Sequence, residues 1–262
     1  MSVGVHQRNT RGAKIIMQKN ENSEIKVAIS IPCYNEFDNL ELLISNIRSV
    51  FSHRQNVKVF LVNNGSTDST LEKMRKLVGQ NNLIEIVDVA VNLGYGYGIK
   101  AGLAHAKDFD VVGWTHADLQ TDMNDVNRAI DIYLDIVERD CLVKGKRVNR
   151  KISEKLFSVG MQILSNAMLN IRVSEVNAQP KLMSRDLYLK HEIRAPNDFS
   201  FDLYYLYQAS MAGINIYDFP VSFSDRKFGI AKGGGGSNFS TKWKLIKRTL
   251  KYIQRMRKDR NV

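Results

Sequence analysis

Cysteine is scarce: Cys33 and Cys141 are the two in 262 residues, with no C-x-x-C pair and no cluster at zinc-finger spacing. A disulfide framework and a structural zinc site are thereby excluded, and a reducing compartment is the expectation. No uninterrupted apolar stretch approaches the roughly 18 to 20 residues that a membrane span requires. Positions 1–20 lack the apolar core of a signal peptide, so no secretory leader is expected. Internal repeats are missing, and Gly233 to Gly236 is the single low-complexity run.

Acidic charge is also short. Lys and Arg number 38 against 27 Asp and Glu, a formal net charge of +11. Between Thr241 and Val262 nine cations face one acid, Asp259, so +8 of that excess belongs to the tail and the body is close to neutral. Trp243, Ile246, Leu250, Ile253 and Met256 recur in the tail at steps of three or four, one apolar stripe on an otherwise cationic helix. Such a helix is expected to lie on an anionic membrane surface, or else to pack on the body with its charges in water. Aromatic interleaving of the kind used on single strands is absent, so no nucleic-acid partner is expected.

The first 24 residues are polar and without sustained period, and are read as a lead-in. From Ile25 short apolar runs alternate with helical periodicity: strands at 26–31, 57–62, 83–89 and 110–114, helices at 39–51, 69–78 and 98–106. Later come a helix near 152–169, a strand at 178–183, a helix at 201–212 and a strand at 214–219. The alternation implies an α/β fold with a mostly parallel central sheet flanked by helices, in which chemistry sits at the carboxyl ends of the strands. The domain is expected to run over 25–232, followed by a glycine-rich linker at 233–240 and the basic amphipathic tail at 241–262.

Three polar loops follow the first, second and fourth strands: Pro32-Cys33-Tyr34-Asn35-Glu36, Asn63-Asn64-Gly65-Ser66-Thr67-Asp68 and His116-Ala117-Asp118-Leu119-Gln120. Taken singly they read as helix caps, Asn35 for the first helix and Ser66, Thr67 or Asp68 for the second. Asp118 and Gln120, two apart in an extended segment, present a carboxylate and an amide oxygen on one side, donors suited to magnesium or manganese. The stretch Thr121 to Asp125 reads as turn and cap. Gly94, Gly96, Gly98 and Gly102 miss the G-x-G-x-x-G spacing and follow the third strand, which speaks against a dehydrogenase.

The segments VAISIPCYNE (27–36), VFLVNNGSTDST (59–70), NLGYGYGIKAG (92–102) and GWTHADLQTD (113–122) together resemble the GT-A glycosyltransferases of family 2. The resemblance points most directly to the branch containing dolichol-phosphate mannosyltransferase and the polyprenyl-phosphate glycosyltransferases. It implies a GT-A, Rossmann-like nucleotide-diphospho-sugar transferase fold. Pro32, Tyr34, Glu36, Val62, Asn64 and Ala117 would line the nucleotide, with Asn64 standing where the family usually has Asp. Metal would be held by Asp118 with Gln120 or His116, the latter replacing the first acid of the family's D-x-D. His116 reads alternatively as a donor behind the ligands, while His105 and His191 read as surface residues.

Arg147 and Lys181, in GKR and QPK, resemble family stretches whose cations face diphosphate or acceptor phosphate. Arg226 and Lys232, in RKFGIAK, resemble an R-x-x-G-x-S-K stretch that closes over phosphates, with Ala231 for the serine. Asp202 falls where the branch carries an acid, and reads as a general base, a stabiliser of a nearby cation, or a charge favourable at a helix start.

The resemblance implies an inverting, metal-dependent transfer of a sugar from a UDP- or GDP-sugar to a lipid-linked acceptor, above all a polyprenyl phosphate, at the cytoplasmic face of a membrane. Asp118, Asp202 and Arg226 would carry the catalysis. The alternatives are transfer to a glycan hydroxyl, with Asp202 as base, and a catalytically inactive binding protein, which the substitutions at Asn64 and His116 would permit.

Overall fold

The computed structural model describes residues 25–148, 165–224, 247 and 250–256. Most of the helix expected near 152–169 lies outside them, as do Arg226, Lys232, the 233–240 linker, Trp243 and Ile246; residues 165–169 are helical.

The first half alternates as the periodicity predicts: β1 (Val27–Cys33), α1 (Leu40–Phe51), β2 (Val57–Asn64), α2 (Thr70–Val78), β3 (Ile84–Val89), α3 (Tyr95–Leu103) and β4 (Val111–Trp114). There follow α4 (Met123–Asp135), β5 (Cys141–Val148), β6 (Lys181–Ser184), α5 (Arg185–Glu192), α6 (Phe201–Met211) and β7 (Asn215–Ser222). The strands form one sheet in the order β3-β2-β1-β4-β6-β5-β7. Pairing is parallel throughout except for β6, which runs antiparallel between β4 and β5.

Each face of the sheet carries its own apolar cluster. Ile29, Ile31 and Val59 pack with α1, α2 and α4, while Ala28, Phe60, Val62 and Trp114 pack with α3, α5 and α6. Burial on both faces is why β1 and β2 read as near-continuous apolar runs. Both cysteines are buried free thiols, as the absence of a framework predicts.

Helix α3 begins at Tyr95, three residues before the expected start. Glycine is a poor helix former, yet here it lets the helix lie directly on the sheet. A Cβ on Gly98 would stand 2.8 Å from Asn64 Cγ, and one on Gly102 would stand 2.3 Å from Ser30 Oγ. The stretch read as turn and cap turns out to start α4: Asp122 accepts from the Asn124 N–H, and Met123, Val126, Ala129 and Ile130 face the core.

At its described positions the tail takes the second of the two expected arrangements, packed on the body. Residues 250–256 are helical, and Ile253 and Met256 belong to the cluster around α6, while Lys251 and Arg255 face outward. At these positions the apolar stripe packs on the body and is not available to a bilayer. Among the described residues no helix is long and apolar enough to cross a membrane.

Candidate functional site

Because β1, β2 and β4 are parallel, their carboxyl ends lie on one edge, and the antiparallel β6 brings its first residue, Lys181, to the same edge opposite Trp114. The three polar loops therefore meet there.

The loops after β1 and β2 are joined to each other. Thr67 N–H donates to Asn35 Oδ1 at 2.8 Å, Asn35 N–H to Ser66 Oγ at 3.1 Å, and Glu36 N–H to Thr70 Oγ1 at 3.0 Å. Asn35 is thus a cross-loop tie, not a helix cap. Asp68 does serve the start of α2, accepting from Thr70 N–H at 3.0 Å. Pro32, Tyr34 and Glu36 are part-exposed along this edge, whereas Val62 is fully buried beneath α3. Asn64 is 3% exposed; its Nδ2 donates to Gly94 O at 3.1 Å, and its buried Oδ1 has no hydrogen-bond partner among the described residues.

The loop after β4 buries Ala117 and Asp118, and turns at Leu119, whose φ is +61°. Asp118 Oδ1 accepts from Gln120 N–H at 3.2 Å. The Gln120 amide donates to Ser224 O at 3.1 Å, and Ser224 N–H returns a bond to Gln120 O, tying this loop to the exit of β7. His116 Nε2 lies 3.1 Å from the phenol oxygen of Tyr95. Burial holds His116 below its ordinary 6.5 despite the upward pull of Asp118 and then Asp202, which disfavours the imidazolium. Burial, reinforced by Asp202 and Asp118, pushes the Tyr95 phenol well above 10.

Behind this loop a polar row crosses the sheet. Trp114, Lys181, Lys144 and Asp218 are successive partners on β4, β6, β5 and β7, so their side chains share a face. Lys181 and Lys144 are both fully buried. The Lys181 ammonium lies 2.8 Å from Asp202 Oδ1, and Lys144 lies 3.0 Å from Asp218 Oδ1. Asp202, in the first turn of α6, also accepts from Trp114 Nε1 at 2.9 Å and from Gln179 Nε2 at 3.2 Å. Burial lowers Lys181 to about 8 against the upward pull of Asp202. Arg147 Nε pairs with Glu175 Oε2 at 2.7 Å, both side chains being 11% exposed.

The structure therefore brings Pro32, Tyr34, Glu36, Asn64, His116, Ala117, Asp118 and Gln120 to one edge. It gives Lys181 an internal partner where the resemblance implies a phosphate. Sequence reasoning passed over Tyr95, Trp114, Gln179, Lys144 and Asp218. Tyr95 had a usable signal, since it directly follows the N-L-G of the loop after β3.

Among the described residues no group of three or more His, Cys, Asp and Glu forms a metal cluster. One buried carboxylate, Asp118, with an amide two residues on, suits a hard divalent ion that takes its remaining ligands from phosphate oxygens and water. Among the described residues this edge holds no all-protein cage.

Known proteins resemble this chain. Over residues 28–178 the chain matches the family model for glycosyl transferase family 2. It is 31% identical over 129 residues to a dodecaprenyl-phosphate galacturonate synthase of Rhizobium johnstonii, covering 48% of this chain and 37% of that one. The matched region thus spans little more than a third of that relative's length. A polyprenol monophosphomannose synthase of Mycolicibacterium smegmatis is 20% identical over 224 residues, 81% of this chain and 82% of that protein. Among solved structures, glucosyl-3-phosphoglycerate synthase from Mycobacterium tuberculosis, in complex with Mn2+, UDP and glucosyl-3-phosphoglycerate, superposes with a TM-score of 0.64 at 16% identity. That match covers 88% of this chain and 81% of the other. At this identity the likeness establishes the GT-A fold alone. With the family model covering more than half of its length, the chain belongs to glycosyl transferase family 2.

Proposed function

We propose that the chain transfers a sugar, with inversion, from a nucleotide diphosphate sugar to a polyprenyl phosphate at the cytoplasmic face of a membrane. The observation that carries the reading is the meeting of three polar loops around Asp118 at the carboxyl edge of β1, β2 and β4. Family membership and the names of the relatives support the reaction class and the acceptor.

In this reading Pro32, Tyr34, Glu36, Asn64 and Ala117 take the nucleoside of the donor, with UDP and GDP both admitted. The Oδ1 of Asn64, buried and without a hydrogen-bond partner among the described residues, is an acceptor that an N–H of the nucleobase would suit. Asp118 would hold a divalent ion, Mg or Mn, with Gln120 beside it. Such an ion, when bound, offsets the charge of the departing diphosphate. Arg226 and Lys232 are assigned to the phosphates by their motif, and Arg147, with one N–H used on Glu175, keeps donors for the same side.

The state of Asp202 bears on the acceptor. Its carboxylate is 2% exposed and already engaged with Lys181, Trp114 and Gln179. A group so occupied is poorly placed to take a proton from a hydroxyl. A phosphate acceptor, with a second pKa of about 6, is ionised at neutral pH and needs no base. That pairing favours polyprenyl phosphate over a glycan hydroxyl. Membrane contact in this reading is electrostatic, through outward cations such as Lys251 and Arg255, because Ile253 and Met256 face inward.

The test is transfer of labelled sugar from a panel of UDP- and GDP-sugars to polyprenyl phosphate in detergent, with and without Mn2+. The wild-type chain should give a lipid-extractable, acid-labile product that depends on the ion. Asp118→Ala should abolish that product while leaving the circular dichroism spectrum and thermal midpoint unchanged. Full activity of Asp118→Ala would sink the assignment.

A further inference from the structure

In the proposed transfer His116 has no task, and neither has Tyr95, half-buried beside it. We propose that Tyr95 is a positioning residue. Its phenol donates to Nε2 of His116, so that His116 meets the donor substrate as a neutral Nδ1–H hydrogen-bond donor and stands outside the metal's ligand set. The inference deepens the proposed function and rests on it.

The Tyr95 oxygen has two hydrogen-bond partners among the described residues: Gln179 Nε2 at 3.1 Å and His116 Nε2 at 3.1 Å. The Gln179 amide nitrogen can only donate, and it divides its two hydrogens between Asp202 and the phenol. The phenol therefore accepts from Gln179 and has its own hydrogen left to place. His116 Nε2 is the acceptor within reach. The opposite arrangement, with Nε2–H donating to the phenol, would make this half-buried oxygen accept twice and leave its own hydrogen with no protein acceptor among the described residues.

The ring has little freedom to turn away from this bond. Tyr95 stacks on Phe199 with centroids 5.0 Å apart and planes within 8°, and meets the His116 ring edge-on at 5.4 Å and 82°. The backbone at Tyr95 is held as well. A Cβ on Gly94 would lie 2.3 Å from Asn197 O, and Tyr97 N–H donates to the same carbonyl at 3.1 Å.

The consequence for His116 is chemical. A neutral imidazole carries one hydrogen, and with Nε2 accepting that hydrogen is on Nδ1. Both nitrogens are then committed, and neither lone pair remains for a metal. His116 is part-exposed, two residues from Asp118, with Nε2 turned inward toward the phenol. Its Nδ1–H is the polar atom left for the crevice, where it suits an oxygen of the substrate diphosphate. A bonded path then runs from Lys181 through Asp202, Gln179 and Tyr95 to His116, linking the buried ion pair to the substrate edge.

The test uses the full chain labelled with 15N-histidine. Long-range proton–nitrogen correlation spectra identify the His116 signals by their loss in His116→Asn. The expected result is a protonated Nδ1 and an unprotonated Nε2 in the wild type, and a shift toward the Nε2–H tautomer in Tyr95→Phe. In parallel, free Mn2+ is followed by electron paramagnetic resonance with UDP present. His116→Asn should leave Mn2+ affinity unchanged, whereas Asp118→Asn should abolish Mn2+ binding. UDP affinity should fall about ten-fold in both His116→Asn and Tyr95→Phe, the loss of one hydrogen bond to a charged acceptor. A wild-type Nε2–H tautomer, or loss of Mn2+ binding in His116→Asn, overturns the inference while leaving the proposed function standing. Failure of the wild type to bind UDP at all overturns both.

Discussion

Lys181→Met tests whether the ion pair behind the site is as consequential as its burial indicates. Lys181 is fully buried, Asp202 is 2% exposed, and the charged atoms are 2.8 Å apart. At an effective dielectric of about 20 the gross attraction at that distance is about 6 kcal/mol. Each ion gave up several kcal/mol of hydration to be there, so the pair as a whole roughly breaks even. Removing one partner is another matter, because the Asp202 carboxylate keeps its desolvation cost and loses its cation. The expected loss of unfolding free energy is about 3–5 kcal/mol, read from urea denaturation at pH 7. The substitution should also carry a pH signature. Burial holds Lys181 at about 8 in the folded chain, whereas an unfolded lysine keeps its proton to about 10.4. Between these values the unfolded state binds the extra proton, so this group's contribution to stability rises with pH. The gap between wild type and Lys181→Met should widen by up to about 3 kcal/mol from pH 8 to 10.5. A loss below about 1 kcal/mol at pH 7, the level of an exposed pair, would refute the reasoning.

Gly98→Ala adds a Cβ 2.8 Å from Asn64 Cγ and 2.9 Å from Pro32 Cβ. It should weaken UDP binding at least about ten-fold, with a stability cost of about 1–3 kcal/mol from overpacking; unchanged affinity in a calorimetric titration would remove both residues from the nucleotide pocket. Ile253→Ala should destabilise by about 2–4 kcal/mol, because Ile253 is fully buried in the cluster around α6. The pair Lys251→Glu and Arg255→Glu should leave stability within about 0.5 kcal/mol and weaken sedimentation with anionic vesicles by about 1 kcal/mol per cation removed. The reverse pattern, a silent Ile253→Ala in the melt together with lost vesicle binding, would restore the bilayer-facing stripe.

Much of the sheet was legible because strands buried on both faces betray themselves as apolar runs, and because the loops between them are short. The boundary of α3 was not, since helix propensity penalises glycine at Gly96, Gly98 and Gly102. The penalty is overridden where a side chain would collide with Ser30 or Asn64. Helix α4 was hidden behind its own start: Thr121 to Asp125 carry cap chemistry, which signals a turn and a helix equally well. Helix α5 offers only Leu187 and Tyr188 as buried residues, too few for a periodic signal. At the site, the rule that chemistry gathers at strand ends points to the three loops and to Asp118, and the family resemblance adds Asn64.

The lysines illustrate a deeper limit. A lysine read in isolation is a solvated cation, and a motif turns it into a phosphate ligand; neither route leads to a buried one. Whether Lys181 and Lys144 are buried depends on cross-strand register, which sets Trp114, Lys181, Lys144 and Asp218 side by side on the face covered by α6. One residue of slip in β6 would carry Lys181 to the opposite face, among the apolar side chains that pack on α1 and α4, far from Asp202. The pair therefore helps fix the register that brings Lys181, and with it Gln179, to the carboxyl edge of the parallel strands. Gln179 in turn holds Tyr95, and Tyr95 holds His116. A charge pair that adds little net stability can still be required, because it fixes which side chains reach the carboxyl edge of the sheet.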